Sequence, residues 1–159
     1  VPARPTPNRP ASEAEKHEKD RDEKDDMREP LSYEMAHRAA EAVLEAARAD
    51  SLKVCVTVVN SSGVVKVLLQ DDGAGPMGVE TSRRKAYTAA VMHMPTAVFA
   101  EFAKDPHLID AQLLAIPGGH PIVTDDGEVI GGIGVGGADG ATDDRLAAQA
   151  LKSIASLVG

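Results

Sequence analysis

From residue 31 onward the apolar positions recur at helical spacing. In "LSYEMAHRAAEAVLEAARAD" Met35, Ala39, Val43 and Ala47 share one face, and Ser32 stands where it can cap the first turn. The period then changes. "KVCVTVVNSSGVVKVLLQDDG" holds two β-rich runs joined by Asn60-Ser61-Ser62-Gly63, the composition of a hairpin turn. A second helix is predicted from Met77 to Met94, and Pro95 restarts the chain as a third over "PTAVFAEFAKD". Beyond a loop through Leu114, short strands are expected on either side of Asp125-Asp126-Gly127, and Ala141 to Val158 closes the chain as an amphipathic helix. The order helix, hairpin, helices, hairpin, helix predicts an α/β fold of the α+β kind, an antiparallel sheet covered by helices.

The first thirty residues follow other rules. Val1 to Pro10 contains four prolines among small and polar residues, which favours an extended leader. It lacks the basic-then-apolar pattern of a signal peptide, so these residues are expected to follow a removed segment. "EAEKHEKDRDEKDDMREP", Glu13 to Pro30, is almost wholly charged, and Ser12 with Glu15 fits a capping box at its start. A charged helix from about Ser12 to Arg28, ended by Pro30, is expected. The chain thus divides into an extension over residues 1–30 and a domain over residues 31–159.

Composition narrows the function classes. A net charge of -8 argues against a general binder of nucleic acid or anionic membrane. Aromatics make up 3% and Trp is absent, so stacking platforms for single-stranded nucleic acid are missing. No apolar run approaches the roughly 20 residues of a membrane span. Cys55 is the one cysteine in the 159 residues, which rules out an intrachain disulfide or a thiolate zinc cluster.

Four stretches in order, "VTVVNSSGVVKVLLQDDGA", "SRRKAYTAA", "LLAIPGGHPIV" and "GEVIGGIGVGG", resemble the GlcG/HbpS family over about Leu31 to Gly159. The charged extension makes the chain similar to the secreted haem-binding actinobacterial members of that family. The resemblance implies a profilin-like or PAS-like subunit on an antiparallel five-stranded sheet, assembled as a homo-octamer. It also implies secretion, binding of haem and iron ions, and communication with a membrane sensor kinase under oxidative stress. A tetrapyrrole-related enzyme, acting in haem degradation or corrinoid binding, is the alternative.

Candidate residues follow from side-chain chemistry. At about 100° per residue Glu15, Glu18, Asp22, Asp25, Asp26 and Glu29 fall on one stripe of the charged helix. Carboxylate pairs three apart, Glu15 with Glu18 and Asp22 with Asp25, suit a hard cation held by oxygen alone, ferric iron included. His17 points away from that stripe, and a solvated helix face or an unstructured tail is the competing reading. On the second helix Thr81, Arg84, Lys85 and Thr88 share a face, where Arg84 and Lys85 suit the two propionates of a haem. The same cations suit an acidic neighbouring subunit. Thr57 alone breaks the aliphatic run Val54 to Val59 with a hydroxyl, on the sheet face of Cys55 and Val59, although threonine is also a good strand residue. His37 and His93 lie in helices and His107 and His120 in loops, none in a recognisable ligand pair. "PGGHP" and "GGIGVGG" lack the pattern of a phosphate loop and are expected to allow close packing in the sheet.

Overall fold

The computed structural model describes residues 12–17, 29–105 and 112–159. Val1–Pro30 and Leu31–Gly159 form separate units. In the first, residues 13–17 are helical, and the capping box closes in both directions: the Glu15 amide donates to Ser12 Oγ at 3.3 Å and the Ser12 amide to Glu15 Oε2 at 2.7 Å. The rest of the expected charged helix lies outside the described residues.

The second unit runs α1 (Tyr33–Ala49), β1 (Cys55–Asn60), β2 (Val65–Gln70), α2 (Pro76–Met92), α3 (Thr96–Phe102), β3 (Gly119–Val123), β4 (Val129–Gly136) and α4 (Gly140–Val158). Ser32 caps α1, its hydroxyl accepting the Met35 amide at 3.2 Å. α2 stops at Met92, two residues before the expected end, because His93 turns into the left-handed region at φ 56 and breaks the helical path ahead of Pro95. The Asn60 side-chain oxygen accepts the amides of Ser62 and Val64, and Gly63 at φ 79 completes the hairpin.

The sheet is fully antiparallel in the order β2-β1-β4-β3. It has four strands among the described residues, where the resemblance implies five. Helix side chains hold the backbone of the apolar stretch 113–114 before β3. The Leu114 amide donates to Thr88 Oγ1 at 2.9 Å and the Leu113 carbonyl accepts from Arg84 Nη2 at 2.9 Å.

Strand alternation sorts the two faces. Val54, Val56, Val58, Ile133 and Val135 point into one core with Ala39, Val43 and Ala47 of α1 and Leu146, Ala150 and Ile154 of α4. Cys55, Thr57 and Val59 point the other way, against α2, where Val59 meets Ala86 and Ala90 and Thr57 reaches Ser82. β4 shows why α2 sits so close. Its residues alternate Gly132-Ile133-Gly134-Val135-Gly136, glycine towards α2 and branched apolar residues towards the other core.

The far end of the β1–β2 hairpin is tied to α1 by a buried carboxylate. Asp71 accepts from Arg48 Nη2 at 2.9 Å and Nε at 3.1 Å, and from the Asp72 amide at 2.9 Å. The Arg48 hydrogen bonds, ahead of its charge and that of Lys53, hold the Asp71 carboxyl below the usual carboxylate range against the opposing effect of desolvation. A carboxyl whose folded pKa is depressed stabilises the protein above its unfolded pKa, about 3.9, and that contribution is lost as pH falls through the folded value. Asp71→Asn is therefore expected to melt below the wild type at pH 7, with the gap closing in scans below about pH 4. A gap that is the same at both pH values would show that the charge on Asp71 contributes nothing.

Candidate functional site

Two helix starts and the strap before β3 enclose a cleft of about 260 Å³. α2 contributes Met77, Thr81 and Lys85, α4 and the turn before it contribute Ala138, Gly140 and Asp143, and Ile116 forms the opposite lip. A second depression of about 210 Å³, between β3 and α4, is lined mainly by Ile122, Leu151, Ile154 and other apolar residues with Asp125. None of the threonines or cations marked in the sequence reaches it.

The floor of the cleft is a buried ion pair. Lys85 Nζ donates to Asp143 Oδ2 at 2.8 Å and to the Val135 carbonyl at 2.9 Å, with both side chains 3% exposed or less. Asp143 Oδ1 accepts the Ala138 amide at 3.1 Å, which fixes the turn into α4. Burial is the largest influence on Asp143 and pushes its carboxyl up, while the Lys85 ammonium opposes this. Gly118 passes beside the pair at φ 129, where an added Cβ would fall 2.8 Å from Lys85 Nζ and 2.9 Å from Asp143 Cβ.

The five sequence-marked residues of the domain part company. Lys85 is committed to Asp143 and Val135. Thr57 is fully buried, its hydroxyl 2.9 Å from that of Ser82. Thr88 is also fully buried, donating to the Arg84 carbonyl at 2.7 Å and accepting from Leu114. Thr81 lines the cleft and its hydroxyl has no hydrogen-bond partner among the described residues, so it can donate to or accept from a guest. Arg84, one turn further along α2, has its Nε buried without an acceptor among the described residues. A buried, unsatisfied donor of this kind costs about 1–3 kcal/mol.

Sequence reasoning missed the lip. Met77 is 72% exposed and Ile116 44% exposed, two large apolar side chains facing solvent at the mouth of the cleft. Met77 lies in the first turn of α2 and Ile116 beside Pro117, and no neighbour of either in the chain marks them as partners. Burial lifts the Cys55 thiol, so it stays protonated and behaves as a small core residue. His120 sits on β3 with Nε2 2.9 Å from Asp144 Oδ1, His37 stacks on Tyr33, and His93 caps α2. His107 and the carboxylates Glu18, Asp22 and Asp25 lie outside the described residues. Among the described residues no group of three or more His, Cys, Asp or Glu is placed to hold a metal ion.

Layer order and cleft together define a helix-covered α+β domain with an apolar-lipped recess at the start of two helices. Residues 31–152 match the family described as haem degrading protein HbpS-like, and the chain belongs to that family. It is similar to protein GlcG of Escherichia coli K12, 32% identical over 108 residues that cover 66% of this chain and 80% of GlcG. Among solved structures it is similar to an HbpS double mutant of Streptomyces reticuli, with 39% identity, a TM-score of 0.72, and coverage of 81% of this chain and 87% of that one. The crystal structure of a PduOC–haem complex aligns at 26% identity and a TM-score of 0.70, over 78% of this chain and 94% of the other. No described helix is long and apolar enough to cross a membrane.

Proposed function

We propose that this protein binds haem at the α2–α4 cleft. The observation that carries the reading is the free Thr81 hydroxyl between the exposed Met77 and Ile116, in a chain whose family and PduOC relative are both named for haem. Apolar lips suit the faces of a macrocycle, and Thr81 and the Met77 thioether are the groups at hand for its iron. A cleft of about 260 Å³ falls below the roughly 300–1,000 Å³ of drug-sized ligand sites, so the macrocycle stands partly proud of the surface. Bound haem supplies redox chemistry at iron; the chain supplies the seat and the buried floor formed by Lys85 and Asp143.

The wider reading is a secreted homo-oligomer, an octamer by resemblance, that buffers or senses haem and iron ions and signals to a sensor kinase. The iron component rests on the sequence spacing of Glu15, Glu18, Asp22 and Asp25, pairs three apart that suit a hard cation held by oxygen alone. The family's description favours the competing enzyme reading, in which a bound haem is degraded.

Hemin titration tests the site. A Soret band that survives desalting is expected, Met77→Ala is expected to weaken binding about tenfold through lost apolar burial, and Thr81→Val to shift the band. A wild-type protein that emerges from desalting colourless removes the haem reading. Loss of the band on adding a reductant in the presence of O2, which supplies the oxygen that opens the ring, with formation of a linear tetrapyrrole, favours the enzyme.

A further inference from the structure

Arg84 is positioned to do two jobs, and the second follows from what the first leaves undone. Residues 112–114 run along α2 and are held there by three side chains: Arg83 Nη1 reaches Gln112 Oε1 at 3.1 Å, Arg84 Nη2 the Leu113 carbonyl at 2.9 Å, and Thr88 Oγ1 the Leu114 amide at 2.9 Å. Two residues on, Ile116 forms the lip of the cleft. Arg83 is already engaged by Glu80, to which it donates at 2.7 Å, and Thr88 is enclosed. Arg84 is the poorly matched member. A single carbonyl oxygen takes one of its donors and leaves Nε buried and unpaired.

We propose that Arg84 exchanges the Leu113 carbonyl for a carboxylate of the bound tetrapyrrole, and that this exchange releases the strap bearing Ile116. The inference rests on the haem reading above and names the group that recognises the ligand's acidic edge. A guanidinium presents its donors as a fork that matches the two oxygens of a carboxylate side by side, whereas the Leu113 carbonyl here takes one of them. Arg84 stands three residues beyond Thr81 on the same helix, so a macrocycle over Thr81 brings its carboxylate edge within one turn of the fork. Occupancy then satisfies Nε, and freeing the strap widens a mouth that is too small for the whole ring.

Haem and haem dimethyl ester, which carries no free carboxylate, separate these effects. The wild type is expected to bind haem at least about tenfold more tightly than the ester, Arg84→Gln to bind both equally, and Arg84→Lys, which keeps the charge without the fork, to fall between. Hydrogen exchange gives a readout without ligand affinity: the Leu114 amide is expected to exchange faster in ligand-free Arg84→Gln, and faster in the wild type once haem is added. Equal wild-type affinity for haem and its ester, or discrimination that persists in Arg84→Gln, overturns the role of Arg84 while leaving haem binding intact. Unchanged Leu114 exchange on haem addition overturns the strap release. No Soret band with either ligand rejects the haem reading and this inference together.

Discussion

Lys85→Met is expected to cost about 3–5 kcal/mol of stability, because it strands a carboxylate in the floor of the cleft. Asp143 is 1% exposed and keeps only the Ala138 amide once the ammonium is gone. The size of the loss depends on which partner remains. Removing both charges in Lys85→Met/Asp143→Leu eliminates the unpaired ion, and buried pairs replaced by apolar groups of similar volume are often neutral or better. The double variant is therefore expected within about 1–2 kcal/mol of wild type, the residue of the deficit being the Ala138 amide that loses its acceptor. pH supplies an independent check. Burial already raises the Asp143 carboxyl, and without Lys85 the opposing attraction vanishes. A carboxyl whose folded pKa lies above its unfolded value destabilises the fold as pH rises past about 3.9, so the Lys85→Met deficit shrinks as pH falls towards that value. Urea midpoints at pH 7 and pH 4.5 read this directly. A single-variant loss under about 1 kcal/mol at pH 7 would mean that water reaches the pair and that the cleft floor is wet.

What the sequence discloses and what it conceals divide along chain distance. The caps at Ser12 and Ser32 and the turns at Asn60–Gly63 and Asp125–Gly127 were readable because each is settled within four residues: an oxygen meets an amide three positions on, or a glycine takes a positive φ. The face shared by Cys55, Thr57 and Val59 was readable for the same reason, since strand alternation is local. The Lys85–Asp143 pair spans 58 positions, and nothing beside either residue announces the other. Lys85 therefore read as a surface cation suited to a propionate, when the fold turns it inward. Thr88 met a similar fate, its hydroxyl being taken by a strap 26 residues away. Met77 and Ile116 come together only through the packing of α2 against the segment before β3, so the lip of the cleft had no signature in the sequence.

The glycines of "GGIGVGG" carry the other large expectation. Their pattern predicts close packing, and the structure names what packs. An added Cβ at Gly134 would drive into the Ser82 carbonyl oxygen and the Ala86 amide nitrogen of α2, both far inside van der Waals distance, with Lys85 Cβ at 3.0 Å behind them. Backbone atoms of a helix cannot rotate aside as a side-chain tip can, so Gly134→Ala has to lift α2 off the sheet. Overpacking of a core by side chains costs about 1–3 kcal/mol, and a clash with helix backbone is expected above that range, beyond about 3 kcal/mol, with little soluble protein. Gly75→Ala is the control: its added Cβ meets nothing within 4 Å, and its cost, that of losing glycine at the N-cap of α2, is expected at about 1 kcal/mol. The consequence reaches the cleft, because α2 carries Met77, Thr81 and Arg84 along with the helix. Any Gly134→Ala protein that does fold is expected to bind haem less tightly than Gly75→Ala, the helix having moved its side chains outward as one body. Urea unfolding followed by hemin titration of the two variants decides the matter: a Gly134→Ala chain within about 1 kcal/mol of wild type would mean that α2 rides higher over β4 than the structure places it.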